Sequence, residues 1–330
     1  MKKFKVCIVG CGFMTKEGHG PSCAKYAAEH DGVELAACCD INPAAAQEVC
    51  DRFGFARAYT DYLEMVERER PDAVIVVTPD TLTCEVSVAL LKRKIPILLE
   101  KPPGLDREQT MSIHRAAMEN HTPARVAFNR RYTPLLRALA EEMQQTGAPL
   151  QDISCMFIRV GRKDEDFSTT AIHGIDTVKY LAGCEYETAA FQYQDIVFED
   201  KPVTNTLMSA KMENGASASL TFLPCGGCVV ERITVTQIGY TFFLYLPVWG
   251  GADAPGRLDC MKDGKIYKTV EGGAYTLHES NGYYDESRLF FDALRAGEEL
   301  ECDVLSGLSS VEIAQHMRQR KRNYKKCNIL

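Results

Sequence analysis

The mostly apolar stretch Phe4 to Val9 ends abruptly at Gly10-Cys11-Gly12, and the same event recurs along the first third of the chain. Val33 to Cys39 stops at Asp40, Ala73 to Val77 at Thr78-Pro79, and Ile95 to Leu99 at Glu100-Lys101-Pro102-Pro103. Strands that are apolar on both faces must be covered on both, as in a parallel sheet packed between helices. The intervening segments carry helix signals. Pro43 to Phe53 follows Asn42, a residue type that caps helix N-termini, with proline at the first helical position. Tyr62 to Glu69 and Thr83 to Lys94 read the same way. This alternation predicts an α/β fold with a doubly wound parallel sheet. Val126 to Phe128 adds one more strand, and Pro134 to Gln145 a helix.

The pattern then changes. Ile153 to Val160 reads as a long strand and Ala171 to Leu181 as a helix closed by Gly183. From Tyr186 to about Leu246 the chain is strand-rich, with turn signals at Asn214-Gly215 and Gly226-Gly227, and Asp263-Gly264 marks another hairpin. Glu286 to Ala296 and Val304 to Met317 are the closing helices; Val304, Leu308, Val311 and Ala314 keep a helical stripe on the second. With 330 residues, two domains are expected. They are a dinucleotide-binding domain over 1–125 and an α+β domain with a large, open, mainly antiparallel sheet over 126–330, whose terminal helices are free to return to the first.

A formal net charge of −7 argues against a surface built to coat nucleic acid or anionic membrane, and no apolar run approaches the ~18 residues of a membrane helix. The six basic residues between Arg318 and Lys326 read as a solvated helix end. Fourteen cysteines, several inside apolar runs (Cys7, Cys38, Cys39, Cys155), read as free thiols of a cytoplasmic protein. Cys225-Gly-Gly-Cys228 lacks a second pair at zinc-site spacing, so no metal site is expected there.

Gly10-Cys11-Gly12-Phe13-Met14-Thr15 begins the fingerprint G-x-G-x-x-G with Thr15 in the third place. The first glycine permits a tight turn, the second lets the backbone approach a pyrophosphate, and the helix that should follow would aim its N–H groups at the phosphates. Asp40, at the end of the second strand, is placed to accept hydrogen bonds from ribose hydroxyls. It lies further beyond Gly12 than the usual ~20 residues; Gly18-His19-Gly20-Pro21 is the expected source of an extra loop. Thr78-Pro79 and Glu100-Lys101 sit at later strand ends, the ligand edge of such sheets.

These pieces, with Asn129-Arg130-Arg131-Tyr132, the helix around His173-Gly-Ile-Asp176, Gly282-Tyr283-Tyr284 through Phe290, and Gly307 through Ala314, resemble the glucose–fructose oxidoreductase, inositol dehydrogenase and rhizopine-catabolism (Gfo/Idh/MocA) family over essentially the whole chain. The resemblance implies a nicotinamide-binding Rossmann domain and a second domain whose open sheet forms a homodimer or homotetramer interface. The Asp40 carboxylate would repel the 2′-phosphate of NADP, so NAD is expected instead, held by Gly10, Gly12, Phe13, Met14, Asp40, Thr78, Pro79, Glu100, Lys101 and Asn129. The resemblance also implies oxidation or reduction of a sugar, cyclitol or related polyol. The alternatives are a redox-neutral, NAD-retaining sugar hydrolase or epimerase, and a non-catalytic NAD-binding regulator.

The resemblance assigns Lys101 to the reacting oxygen and His173 to the acid/base position, which suits a side chain whose ordinary pKa is near ~6.5. Substrate contacts are expected from Arg130, Arg159, Asp176 and Tyr284, with Arg131 and Arg162 as further candidates for an acidic group. Three departures stand out. Thr169 occupies the place of an aspartate common in the family, Thr83 that of a frequent histidine, and Thr15 that of the last fingerprint glycine. Asp176, three residues after His173, is left with three readings: partial substitute for that aspartate, substrate ligand, or structural residue.

Overall fold

The computed structural model describes residues 3–164, 166–298, 300 and 303–326. The chain divides into two compact units, residues 1–129 with 277–311, and residues 130–276 with 312–330. The first break lies four residues past the expected boundary, and most of the closing helical segment belongs to the first unit.

The first unit opens with β1 (Phe4–Val9), α1 (Gly20–Glu29), β2 (Val33–Cys39), α2 (Pro43–Phe53), β3 (Arg57–Tyr59) and α3 (Tyr62–Glu69). It continues through β4 (Ala73–Val76), α4 (Asp80–Leu91), β5 (Ile97–Glu100), α5 (Arg107–Glu119) and β6 (Ala124–Ala127). All six strands are parallel, in the order β3-β2-β1-β4-β5-β6. Strand order reverses between β1 and β4, the switch point at whose carboxyl edge such sheets bind ligands. Both β4 and β5 are buried at every residue, as strands covered on both faces must be. Asn42 caps α2 by accepting from the Ala44 N–H at 3.1 Å, and Asp61 caps α3.

The second unit is built from α6 (Pro134–Thr146), β7 (Leu150–Ile158), α7 (Ser168–Ala182), β8 (Tyr186–Phe198), β9 (Lys201–Met212) and β10 (Ser217–Leu223). Then come β11 (Val230–Gln237), β12 (Tyr240–Tyr245), β13 (Arg257–Lys262) and β14 (Lys265–Glu271). Its nine-stranded sheet runs β14-β13-β12-β11-β7-β10-β9-β8 and ends on β15 (Asn323–Lys325). Among the described residues of this sheet, β7 and β10 are the strands that pair in parallel. The Gly226-Gly227 turn therefore joins two strands that flank β7 rather than pair with each other. One face of the sheet carries α7: a Cβ on Gly174 would stand 3.1 Å from the Phe222 ring and 3.4 Å from Cys155 Sγ.

Before β15 the chain forms α8 (Leu277–Ser280), α9 (Tyr283–Ala296) and α10 (Leu308–Arg318). Within the first unit α9 packs on α1. Phe290 and Phe291 join Val6, Ile8, Tyr26 and Leu98 in one buried cluster, and Tyr26 Oη donates to Asp292 Oδ1 at 2.7 Å. Among the basic residues near the end, Arg318 pairs with Asp166, Arg320 with Asp195 and Lys326 with Glu213 within the second unit. Among the described residues no helix is long and apolar enough to cross a membrane.

Candidate active site

In the first unit, β1 delivers Gly10 with φ +96°, where a Cβ would lie 2.1 Å from the Val77 carbonyl oxygen. Only glycine fits there. Gly12 is different: a Cβ on it would meet no atom within 4 Å. That open approach at the start of a helix is what a pyrophosphate needs, so the residues present fit a dinucleotide. Thr15 replaces the third glycine without leaving a buried hydroxyl unsatisfied, because its Oγ1 donates to the Gly10 carbonyl at 2.5 Å.

Asp40 braces the turn. Its Oδ2 accepts from the Cys11 N–H at 2.7 Å and its Oδ1 from the Asn42 N–H at 2.9 Å. Each oxygen retains acceptor capacity for a ribose hydroxyl. No extra loop accounts for the long Gly12–Asp40 spacing. Residues Thr15–His19 form a π-helical turn that runs straight into α1, with the Gly20 N–H donating to the Thr15 carbonyl. Phe13 stands 67% exposed on the first turn. Thr78 Oγ1 lies 3.2 Å from Thr83 Oγ1, so the threonine at the frequent histidine position ties the β4 loop to α4. Asn129 is buried and donates to the Asn281 carbonyl at 2.8 Å.

At the end of β5, Glu100 is buried and Lys101 partly exposed; the Lys101-Pro102 peptide is cis. Glu100 Oε2 accepts from the Lys101 N–H at 3.1 Å, and Oε1 lies 3.0 Å from His19 Nε2. Burial pushes the Glu100 carboxyl up, but the His19 hydrogen bond and the neighbouring Lys101 charge outweigh it and hold the group below the usual range. The nucleotide half of the expected site is thus assembled on one edge of one sheet. His19, which the sequence reading took for part of a loop, belongs to it.

In the second unit, His173 is 7% exposed on α7, and its carbonyl accepts from Thr177 Oγ1 at 2.7 Å. Asp176 on the same helix is taken by Arg131: Arg131 Nε donates to Oδ2 at 2.8 Å and Nη2 to Oδ1 at 2.5 Å. Of the three readings of Asp176, this bidentate pair supports the structural one. Thr169 Oγ1 donates to the Asp166 carbonyl at 3.3 Å.

Arg130 and Arg159 converge on Glu231, a residue the sequence did not single out. Arg130 Nε and Nη2 donate to its two oxygens at 3.0 and 2.7 Å, and Arg159 Nη2 donates to Oε1. Burial raises the Glu231 carboxyl, and the two guanidinium groups overcome this and hold it below the usual range. Tyr284, expected near the substrate, is a buried α9 residue that donates its hydroxyl to Glu29 and carries Lys25 over its ring at 4.5 Å. It serves the α1–α9 packing.

Cys225 Sγ donates to the Arg162 carbonyl at 3.3 Å. Among the described residues no group of three or more His, Cys, Asp or Glu could hold a metal ion.

Residues 4–128 match the profile of an oxidoreductase family described by its NAD-binding Rossmann fold. Inositol 2-dehydrogenase/D-chiro-inositol 3-dehydrogenase of Lactiplantibacillus plantarum is 30% identical over 190 residues, 55% of this chain and 53% of that protein. Levoglucosan dehydrogenase of Pseudarthrobacter phenanthrenivorans is 26% identical over 162 residues, 44% of this chain and 41% of that one. The chain spans about half the length of the curated relatives it matches. A solved levoglucosan dehydrogenase in complex with NADH and L-sorbose superposes over 100% of both chains with a TM-score of 0.82 at 17% identity, a likeness of fold.

Proposed function

We propose that the chain, whose residues 4–128 match the profile of an oxidoreductase family with an NAD-binding Rossmann fold, is a Gfo/Idh/MocA-type NAD-dependent dehydrogenase of a sugar, cyclitol or related polyol. The observation that carries this reading is Lys101. It leaves the carboxyl end of a buried strand in the same sheet, and at the same edge, as the Gly10–Gly12 turn. When bound, NAD supplies the hydride acceptor. Gly10 and Gly12 let the backbone hold the pyrophosphate, Asp40 takes the ribose hydroxyls, and Phe13, Met14, Thr78, Pro79 and Asn129 shape the surroundings.

Lys101 holds the substrate oxygen as its negative charge grows during proton loss, an interaction strongest near the transition state. His173 takes the hydroxyl proton. Arg130 and Arg159 are the candidates for an acidic group on the substrate, such as a uronate, because guanidinium matches carboxylate geometry. A carboxylate at position 40 repels the 2′-phosphate of NADP.

Self-association through the open sheet belongs to the same reading. The paired residues Ala190 and Ser209, and Gln192 and Leu207, are exposed on one face. The buried thiols of Cys7, Cys38 and Cys155 suit a cytoplasmic, reducing setting.

The experiment is NAD reduction followed spectrophotometrically over a panel of sugars, uronates and cyclitols. Turnover is expected with at least one of them, and NAD should be favoured over NADP by about tenfold or more, ~1.4 kcal/mol. Tight NAD binding with no net reduction by any compound would overturn the dehydrogenase reading, and equal use of NADP would overturn the role of Asp40.

A further inference from the structure

His19 is fully buried, and so nearly is Glu100, its partner across the nucleotide half of the site. A buried carboxylate at a strand end is expensive unless each oxygen is met by a donor. Here both are met: His19 Nε2 donates to Oε1, and the Lys101 N–H donates to Oε2. The ionised carboxylate can only accept, which assigns the proton to Nε2. His19 Nδ1 meets no hydrogen-bond partner among the described residues. The ring's hydrogen bond therefore goes to Glu100.

The local backbone is specialised for this delivery. The turn Thr15–His19 is π-helical, a rare geometry that inserts one residue and re-aims those after it. Glycines stand on both sides of His19. A Cβ on Gly18 would come within 2.9–3.0 Å of the Tyr283 ring, and one on Gly20 within 2.6 Å of the Phe53 ring. Tyr283 then closes over the imidazole edge to face at 5.2 Å and 88°. Each of these features brings one ring to one carboxylate oxygen.

We propose that His19 is a positioning residue for Lys101, acting through Glu100, whose carboxylate it fixes so that the lysine backbone and charge are held at the sheet edge. The inference rests on the catalytic reading of Lys101 given above, and two measurements separate them. His19→Leu fills the volume without a donor; His19→Gln restores an N–H at similar reach.

With an identified substrate, His19→Leu should lower kcat by about tenfold to a hundredfold, the range for a reacting group displaced by an ångström or less. His19→Gln should recover most of the loss. Without any substrate, acylation of Lys101 by an amine reagent, read by peptide mass spectrometry against exposed Lys92, should change severalfold in His19→Leu and little in His19→Gln. A folded His19→Leu protein with wild-type Lys101 labelling overturns the proposal, whether or not a sugar is ever oxidised. Altered labelling in a protein that oxidises no sugar leaves the positioning intact and removes the dehydrogenase reading. If His19→Leu does not fold, Glu100→Gln carries the same comparison, and wild-type labelling there is equally decisive against it.

Discussion

Lys101 and His173 stand on different supports. Lys101 is tied by its own N–H to a buried carboxylate that is itself held by an imidazole. His173 lies on a helix whose neighbouring aspartate is taken by Arg131 and whose usual acidic partner is Thr169, bonded to a backbone carbonyl instead. We therefore predict that Lys101→Ala lowers kcat/KM by about 10²–10⁴-fold. His173→Ala should lower it less, water or another residue taking the proton. Steady-state kinetics of both variants on one substrate decide the ranking, which fails if His173→Ala is the more damaged.

What the sequence disclosed at this scale follows a physical rule. Gly10 and Gly12 could be read because the backbone geometry they serve is local, and Asp40 because it ends the next strand of the alternation. Arg130, Arg159 and Asp176 were readable as charges but not as pairs, since Glu231 and Arg131 are distant in sequence. His19 was visible only as a histidine between two glycines.

At the scale of elements, the strand–helix alternation was legible because capping and burial are written in short windows. Asn42 and Pro43 start α2 where expected. Helix α4 begins at Asp80, three residues before the expected Thr83, because Pro79 already sets its N-terminus. Pairing partners were not legible: glycines at 226–227 report that the chain turns, not that β10 and β11 will lie on opposite sides of β7.

The two fingerprint glycines separate stability from binding. Gly10→Ala places a methyl against a main-chain carbonyl at a positive φ and should destabilise the protein by at least ~2 kcal/mol. Gly12→Ala points its methyl into open space. It should leave stability within about 0.5 kcal/mol while weakening NAD binding by roughly tenfold or more. Denaturant unfolding and NAD titration of both variants test this; undiminished NAD binding by Gly12→Ala would remove the pyrophosphate from its assigned place.

For the molecule as a whole, buried carboxylates set the response to acid. Glu231 is held below the ordinary glutamate range, near ~4.3, by Arg130 and Arg159 against the upward push of burial. It therefore binds a proton more readily in the unfolded chain. The stability it contributes is present above that ordinary value and is lost as the pH falls through the lower folded one. Glu231→Gln, which leaves two buried guanidinium groups facing an amide, should be clearly less stable than wild type at pH 7. The difference in melting temperature should shrink as the pH is taken below ~4.3; a constant difference would show that Glu231 titrates alike in both states.

The return of α9 to the first unit bears on the order of events during synthesis. Val6, Ile8 and Tyr26 emerge early, yet Phe290 and Phe291, which share their cluster, emerge only after the whole nine-stranded sheet except β15 has been made. At roughly 5–20 residues per second that gap lasts on the order of ten seconds or more. For that interval the nucleotide-binding domain is a sheet with an unfinished face. Completing it is a late event of translation, coupled in time to the folding of the domain interposed in its chain.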